Sequence, residues 1–182
     1  MLVRMKAALP ALAMTVGLTA LAAAPASAVT FPDDGSAFRI QLRDDPSLCL
    51  AIESRGTGQE TGKLLVTRPC GGQAKAQQFT YQADQGYLHN ASVSDDQCLT
   101  GGPAGLRTGF EMGPCSLRPN HPLFPRKFVA TPDSHLFVTS TPKPGQKPLS
   151  GCVATGREGT PAALQNCAEG EWLDFDLVPV NQ

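Results

Sequence analysis

The chain has 182 residues, 41% of them hydrophobic and 17% charged, with a formal net charge of −1. That is enough apolar chain for one core, and too little concentrated basic charge for nucleic acid or an anionic membrane surface as the main partner. There is no Cys-x-x-Cys pair, and His89, His121 and His135 stand at no ligand-like spacing from a cysteine, so the expectation is no metal and no cofactor.

The first residues read as a leader. Arg4 and Lys6 precede an uncharged apolar run, Ala7 to Leu21, and Ala26-Ser27-Ala28 has the small-x-small pattern of a signal-peptidase site. Pro10, Gly17 and the Ala-rich end favour a cleaved signal over a membrane anchor. Cleavage near Ala28 removes two cations and no acid, so the mature chain, 29–182, carries −3. No later apolar run is long enough to span a bilayer. Secretion is expected, without stable membrane insertion, and the leader is of a bacterial type.

Short alternating segments dominate the rest. Phe38–Leu42 alternates apolar and polar residues as a half-buried strand does, a turn cluster follows at Asp44-Asp45-Pro46-Ser47, and Leu48–Ile52 begins the next strand. Further strands are expected at 63–67, 78–81, 87–89, 97–100, 110–112, 127–130, 135–139, 151–154, 162–165 and 172–178. The 18 Gly and 16 Pro leave no helical apolar period sustained for three turns, so the class is all-β.

All six cysteines lie after the leader, an even number bound for an oxidising compartment, which predicts disulfides. Fifteen pairings are possible and spacing alone does not choose among them. A repeat does favour one. Cys49, Cys98 and Cys152 open three similar units, 49 and 54 residues apart, and Cys70, Cys115 and Cys167 close them, 45 and 52 apart. Units that share one structure close on themselves, as Cys49–Cys70, Cys98–Cys115 and Cys152–Cys167. A period near 50 with about four strands per unit fits propeller blades or the lobes of a β-trefoil. Three blades do not close a ring. Three lobes, at about 38–92, 93–140 and 141–182, make a complete trefoil in a single domain.

Cys49-Leu50, Arg68-Pro69-Cys70, Gln77-Gln78-Phe79 and Gly86-Tyr87-Leu88 form the first unit. The second has Cys98-Leu99-Thr100, Gly113-Pro114-Cys115 and Arg126-Lys127-Phe128; the third has Cys152-Val153, Leu164-Gln165-Asn166-Cys167 and Leu173-Asp174-Phe175. With these motifs the chain resembles the ricin B-type lectin family over about 38–180. The resemblance implies a trefoil that binds carbohydrate. Phe79, Phe128 and Phe175 are then core residues meeting near a pseudo-threefold axis, each contributing about 2–3 kcal/mol by burial. Each bridge constrains a loop of 14–20 residues, worth about 3 kcal/mol in the chain-entropy view.

Galactose-binding members of that family place an Asp two residues after the opening Cys and an aromatic shortly before the closing one. Here the first position reads Ala51, Thr100 and Ala154, and the position two before the closing Cys reads Arg68, Gly113 and Gln165. Conventional galactose sites are therefore degenerate. The polar replacements nominated as ligand contacts are Glu53, Arg68 and Gln77 in the first lobe and Arg157, Glu158 and Gln165 in the third.

Catalytic residues are not indicated. Asp33-Asp34, Asp44-Asp45 and Asp95-Asp96 are adjacent pairs in turn-forming contexts, and neighbours in a strand point to opposite faces. Asp174 and Asp176 share a strand face, which an outward polar surface explains. No nucleophile elbow, His-Glu-x-x-His or phosphate-cradling loop occurs. Asn90-Ala91-Ser92 is a formal glycosylation sequence without weight behind a bacterial leader.

Two loops stand apart. The closing Cys and the following core Phe are 9, 13 and 8 residues apart, so the second lobe carries about four extra residues within Ser116–Pro125. Asn120, His121, Leu123 and Phe124 on this proline-stiffened loop are candidates for protein contact. Thr141–Pro148 reads as a solvated cationic linker. The leading reading is a secreted non-catalytic module that binds an extracellular glycan. The alternative is a trefoil that contacts a secreted protein, as an adaptor or targeting subunit of an assembly such as a toxin, or as an inhibitor of an extracellular hydrolase.

Overall fold

The computed structural model describes residues 30–55, 62–71, 75–101, 109–116, 126–139, 150–168 and 172–180. The expected leader, the nominated protein-contact residues Asn120, His121, Leu123 and Phe124, and the linker Thr141–Pro148 lie outside them. Twelve strands form among the described residues, with one 3-10 turn at Lys75–Gln77. No described helix is long and apolar enough to cross a membrane.

Six strands close a barrel: β1 (Phe38–Leu42), β4 (Phe79–Gln82), β5 (Tyr87–Asn90), β8 (Lys127–Ala130), β9 (Leu136–Thr139) and β12 (Phe175–Pro179). β1 pairs antiparallel with both β12 and β4; β4 pairs with β5, and β8 with β9. Two seams are completed by contacts outside the strand ladders. The Phe128 amide donates to the Gly86 carbonyl at 2.8 Å, and the Phe175 amide donates to that of Ser134 at 2.9 Å. Both acceptors take the left-handed backbone, with φ of 75° at Gly86 and 69° at Ser134. Glycine adopts that conformation at no steric cost, whereas serine pays one there.

Three hairpins cap one end of the barrel: β2 (Leu48–Arg55) with β3 (Gly62–Pro69), β6 (Gln97–Gly101) with β7 (Phe110–Pro114), and β10 (Ser150–Ala154) with β11 (Ala163–Gln165). They touch pairwise through Leu64 opposite Glu111, Gly109 opposite Ala163 and Val66 opposite Pro161. Six barrel strands and three hairpins related in this way are a β-trefoil. A disulfide closes each lobe, Cys49–Cys70, Cys98–Cys115 and Cys152–Cys167, with Cα separations of 5.0 Å in all three.

Period-two patterning explains the core. Phe38, Ile40 and Leu42 point inward from β1 while Arg39 and Gln41 alternate with them. Phe79, Phe128 and Phe175 are each 0% exposed and belong to one apolar cluster with Leu50, Leu99 and Val153, the residues that follow the three opening cysteines. The N-terminal segment folds onto this body. Phe31 stacks on Tyr81 at 4.0 Å, and the Tyr81 hydroxyl donates to the Phe128 carbonyl. Burial raises the Tyr81 pKa.

Strand boundaries differ from the expected ones in two instructive places. β2 runs three residues further, to Arg55, because its partner β3 continues opposite it as far as Gly62. The last strand starts at Phe175 instead of 172, because Trp172 has φ 61°, which a strand does not accommodate.

Candidate functional site

A pocket of about 520 Å³ opens on the first lobe. Ala51 and Glu53 line it from β2, Lys63 and Arg68 from β3, and Ala76, Gln77 and Ser92 from the segments that follow. The three residues nominated in the first lobe, Glu53, Arg68 and Gln77, thus share one cavity, although they play different parts.

The β2–β3 register accounts for the charged pair. Arg68 stands opposite Cys49, and Cys49, Ala51 and Glu53 follow one another along one face of β2. Arg68 and Glu53 are therefore offset along the hairpin with Ala51 between them. Because Ala51 has only a methyl group, the two long side chains reach over it and pair, Arg68 Nη2 donating to Glu53 Oε2. That hydrogen bond is the main cause of a raised Arg68 pKa. The side chains keep 33% and 44% of their surface exposed, so water screens the pair and it adds little to stability. A ligand hydroxyl can exchange places with one partner at small cost to the fold.

The third lobe packs against β3 beside Arg68. The Thr67 amide donates to the Thr160 carbonyl at 3.0 Å, and the Gly159 amide donates back to Thr67 at 2.8 Å, stitching the 157–160 turn to β3. Gly159 has φ 81°, and a Cβ built on it would come within 3.3 Å of Arg68 Nη1, so glycine lets the turn lie against the guanidinium. The Glu158 carboxylate further favours the charged form of Arg68. Two residues nominated in different lobes, Arg68 and Glu158, are thereby neighbours. Arg157 is exposed on that turn, whereas Gln165 is exposed opposite Cys152, at the other end of the β10–β11 hairpin. The third-lobe trio is not gathered into one place.

Gln77 is wholly buried. Its amide nitrogen donates to the Pro69 carbonyl at 2.7 Å, and its amide oxygen accepts from the Gly71 amide at 2.8 Å. The side chain thus satisfies the backbone on both sides of Cys70 and fixes the pocket's back wall. Arg126 and Leu173 hold the matching places, two residues before Phe128 and Phe175, and each is 5% exposed. Burial lowers the Arg126 pKa. Asn90 does similar work. At 4% exposure its amide donates to the Ala76 carbonyl at 2.9 Å, and its oxygen accepts from the Ser92 amide at 3.0 Å and hydroxyl at 2.6 Å. The glycosylation-like sequence is occupied with shaping the pocket wall.

The corresponding positions of the other lobes are as buried as Ala51, which is 2% exposed. Thr100 is fully buried and its hydroxyl donates to the Glu111 carbonyl at 2.8 Å; Ala154 is 1% exposed. The acidic pairs are structural. Asp45 accepts from the Ser47 amide and hydroxyl, and Asp34 from the Ala83 amide. Asp174 and Asp176 each face a basic group, His135 at 3.0 Å and Arg43.

Sequence reasoning missed Ser54, Lys63 and Ser92 as wall residues. The two strand residues emerge only because β2 and β3 extend past Ile52, pairing Ser54 with Lys63. Lys63 Nζ reaches the Ser92 carbonyl at 3.4 Å.

No protein-family model and no curated protein matches the sequence. Among solved structures, the chain is similar to the β-trefoil lectin of the Vibrio vulnificus hemolysin/cytolysin, determined with N-acetyl-D-lactosamine bound. The likeness has a TM-score of 0.59 and covers 81% of this chain and 96% of that one. Sequence identity is 12%, so what the two share is the trefoil fold.

Replacing Gln77 with Leu leaves the Pro69 carbonyl and the Gly71 amide without their side-chain partner. The expected cost is about 2–3 kcal/mol in denaturant unfolding; an unchanged midpoint and slope would show that the bonds contribute nothing.

Proposed function

We propose that the protein is an exported, non-catalytic, carbohydrate-binding trefoil, a divergent relative of the ricin B-type lectins, that holds its ligand in the first-lobe pocket. The observation that carries this reading is the Glu53–Arg68 pair set across Ala51 in an open cavity. A sugar offers adjacent hydroxyls that both donate and accept. Glu53 supplies an acceptor and Arg68 a fork of donors, so the pair can bind vicinal hydroxyls bidentately. Ala51 and Ala76 leave room for a pyranose ring. None of the described wall residues is aromatic, so orientation rests on hydrogen bonds instead of stacking, and weak binding by each site is expected. The neighbouring lectin fold with its bound N-acetyl-D-lactosamine supports glycans as the ligand class.

Glycan-array binding followed by titration checks the proposal. Glu53→Ala and Arg68→Ala are each expected to weaken the best glycan by about tenfold or more, the loss of one charge-assisted hydrogen bond. Absence of signal on every glycan would overturn it. The second reading, a secreted protein partner, is favoured by the proline-rich insertion within Ser116–Pro125. A stoichiometric protein retained from culture supernatant by a glycan-blind chain is the outcome that would support it.

Export with removal of residues 1–28 belongs to the same proposal. N-terminal sequencing of the protein from the medium is expected to begin at Val29; retention inside the cell with Met1 intact would contradict it.

A further inference from the structure

The Cys98–Cys115 bridge differs from the other two in what lies against it. His89 Nε2 is 3.7 Å from Cys98 Sγ, and Nδ1 is 4.0 Å from both sulfurs. Among the described residues, the polar neighbours of the Cys49–Cys70 bridge are neutral, the Gln41 amide at 3.9 Å and the Pro46 carbonyl at 3.6 Å from Cys70 Sγ. Neither group can deliver a proton to a sulfur at physiological pH. No described polar side chain contacts the sulfurs of the Cys152–Cys167 bridge.

As in the other two bridges, the opening sulfur is the more buried one and the closing sulfur the more accessible. Cys98 is 0% exposed, whereas Cys115 is half-buried at the edge of its hairpin. His89 is held in place on β5, where its Nε2–H donates to the Gln82 amide oxygen at 3.1 Å, which leaves Nδ1 to face the two sulfurs. A nucleophile from solvent therefore meets Cys115 first, and the sulfur that leaves is the buried one beside the imidazole.

We propose that Cys98–Cys115 is a thiol-exchange site, in which Cys115 takes up a low-molecular-weight thiol and His89 stabilises the departing Cys98. The thiolate attacks Cys115 Sγ and forms the new sulfur–sulfur bond. The Cys98–Cys115 bond breaks, and its electron pair leaves on Cys98 as a thiolate. When the His89 ring is protonated, its Nδ1–H, 4.0 Å from the sulfur, donates to that anion and passes it the proton, while Nε2–H stays with Gln82. With a dithiol the second sulfur attacks the mixed disulfide and frees Cys115, so the reagent is oxidised by two electrons and the bridge reduced by two. Exchange rates rise as the leaving thiolate is stabilised, and a buried thiolate needs such a partner more than an exposed one.

The test treats the oxidised protein with glutathione, or with a limiting dithiol, under native conditions. Free thiols are trapped by alkylation and all three bridges are followed by peptide mapping in one sample. Cys98 and Cys115 are expected to be labelled first, at least about tenfold faster than the cysteines of the other lobes, with glutathione found on Cys115 rather than Cys98. His89→Phe is expected to slow the second-lobe bridge about tenfold while leaving the Cys49–Cys70 rate unchanged, which loosening of the whole fold would not do. The wild-type order stands as a test by itself if that variant does not fold. Equal rates for the three bridges, glutathione on Cys98, or an unaltered second-lobe rate in a folded His89→Phe would each overturn the proposal.

Discussion

The structure depends on closing one apolar core with three lobes, each too small to bury its own interior. Phe79, Phe128 and Phe175 enter that core from strands far apart in sequence. The amides of the last two lock onto the turns at Gly86 and Ser134 that precede the adjoining barrel strands. Burial of these rings is favourable only when all three lobes are present, which makes the trefoil a single cooperative body. The disulfides serve a more local purpose: each joins the ends of one hairpin and limits the disorder available to that lobe when unfolded.

This shared scaffold leaves the lobes free to differ where the core does not reach. In the second lobe the position two after the opening Cys is filled by Thr100, whose hydroxyl is already satisfied inside the hairpin. In the first lobe the corresponding alanine lies beneath a solvent-screened ion pair, and the third lobe's 157–160 turn packs beside the Arg68 of that pair. The described pocket is walled by the first lobe, with the third-lobe turn against its Arg68. Its fixed parts, Gln77 and Asn90, are buried and fully engaged with backbone; its adaptable parts, Glu53 and Arg68, stand partly in water.

The fold was legible in the sequence because its signals are local and repeated. Alternation of Phe38, Ile40 and Leu42 marks a strand without reference to the rest of the chain, and three Cys–Cys–Phe units in order state the symmetry. The site was legible only in part. Glu53, Arg68 and Gln77 were found through their places in the repeat, but spacing does not distinguish a buried Gln77 that binds backbone from an exposed one that binds a ligand. The approach of Glu158 to Arg68 crosses about ninety residues and depends on how hairpins of different lobes abut, which no local pattern encodes. Lys63 and Ser54 depended on strand length, set by pairing across the hairpin more than by intrinsic preference.

The most direct measurement is residue-resolved NMR of the labelled protein titrated with the glycan it binds best. The account predicts that shifts concentrate at Ala51–Ser54, Lys63 and Arg68 and extend to Gly159 across the lobe boundary, while Thr100 and Gln165 stay fixed. Shifts centred on the hairpins of the second or third lobe, with the first-lobe pocket silent, would contradict it.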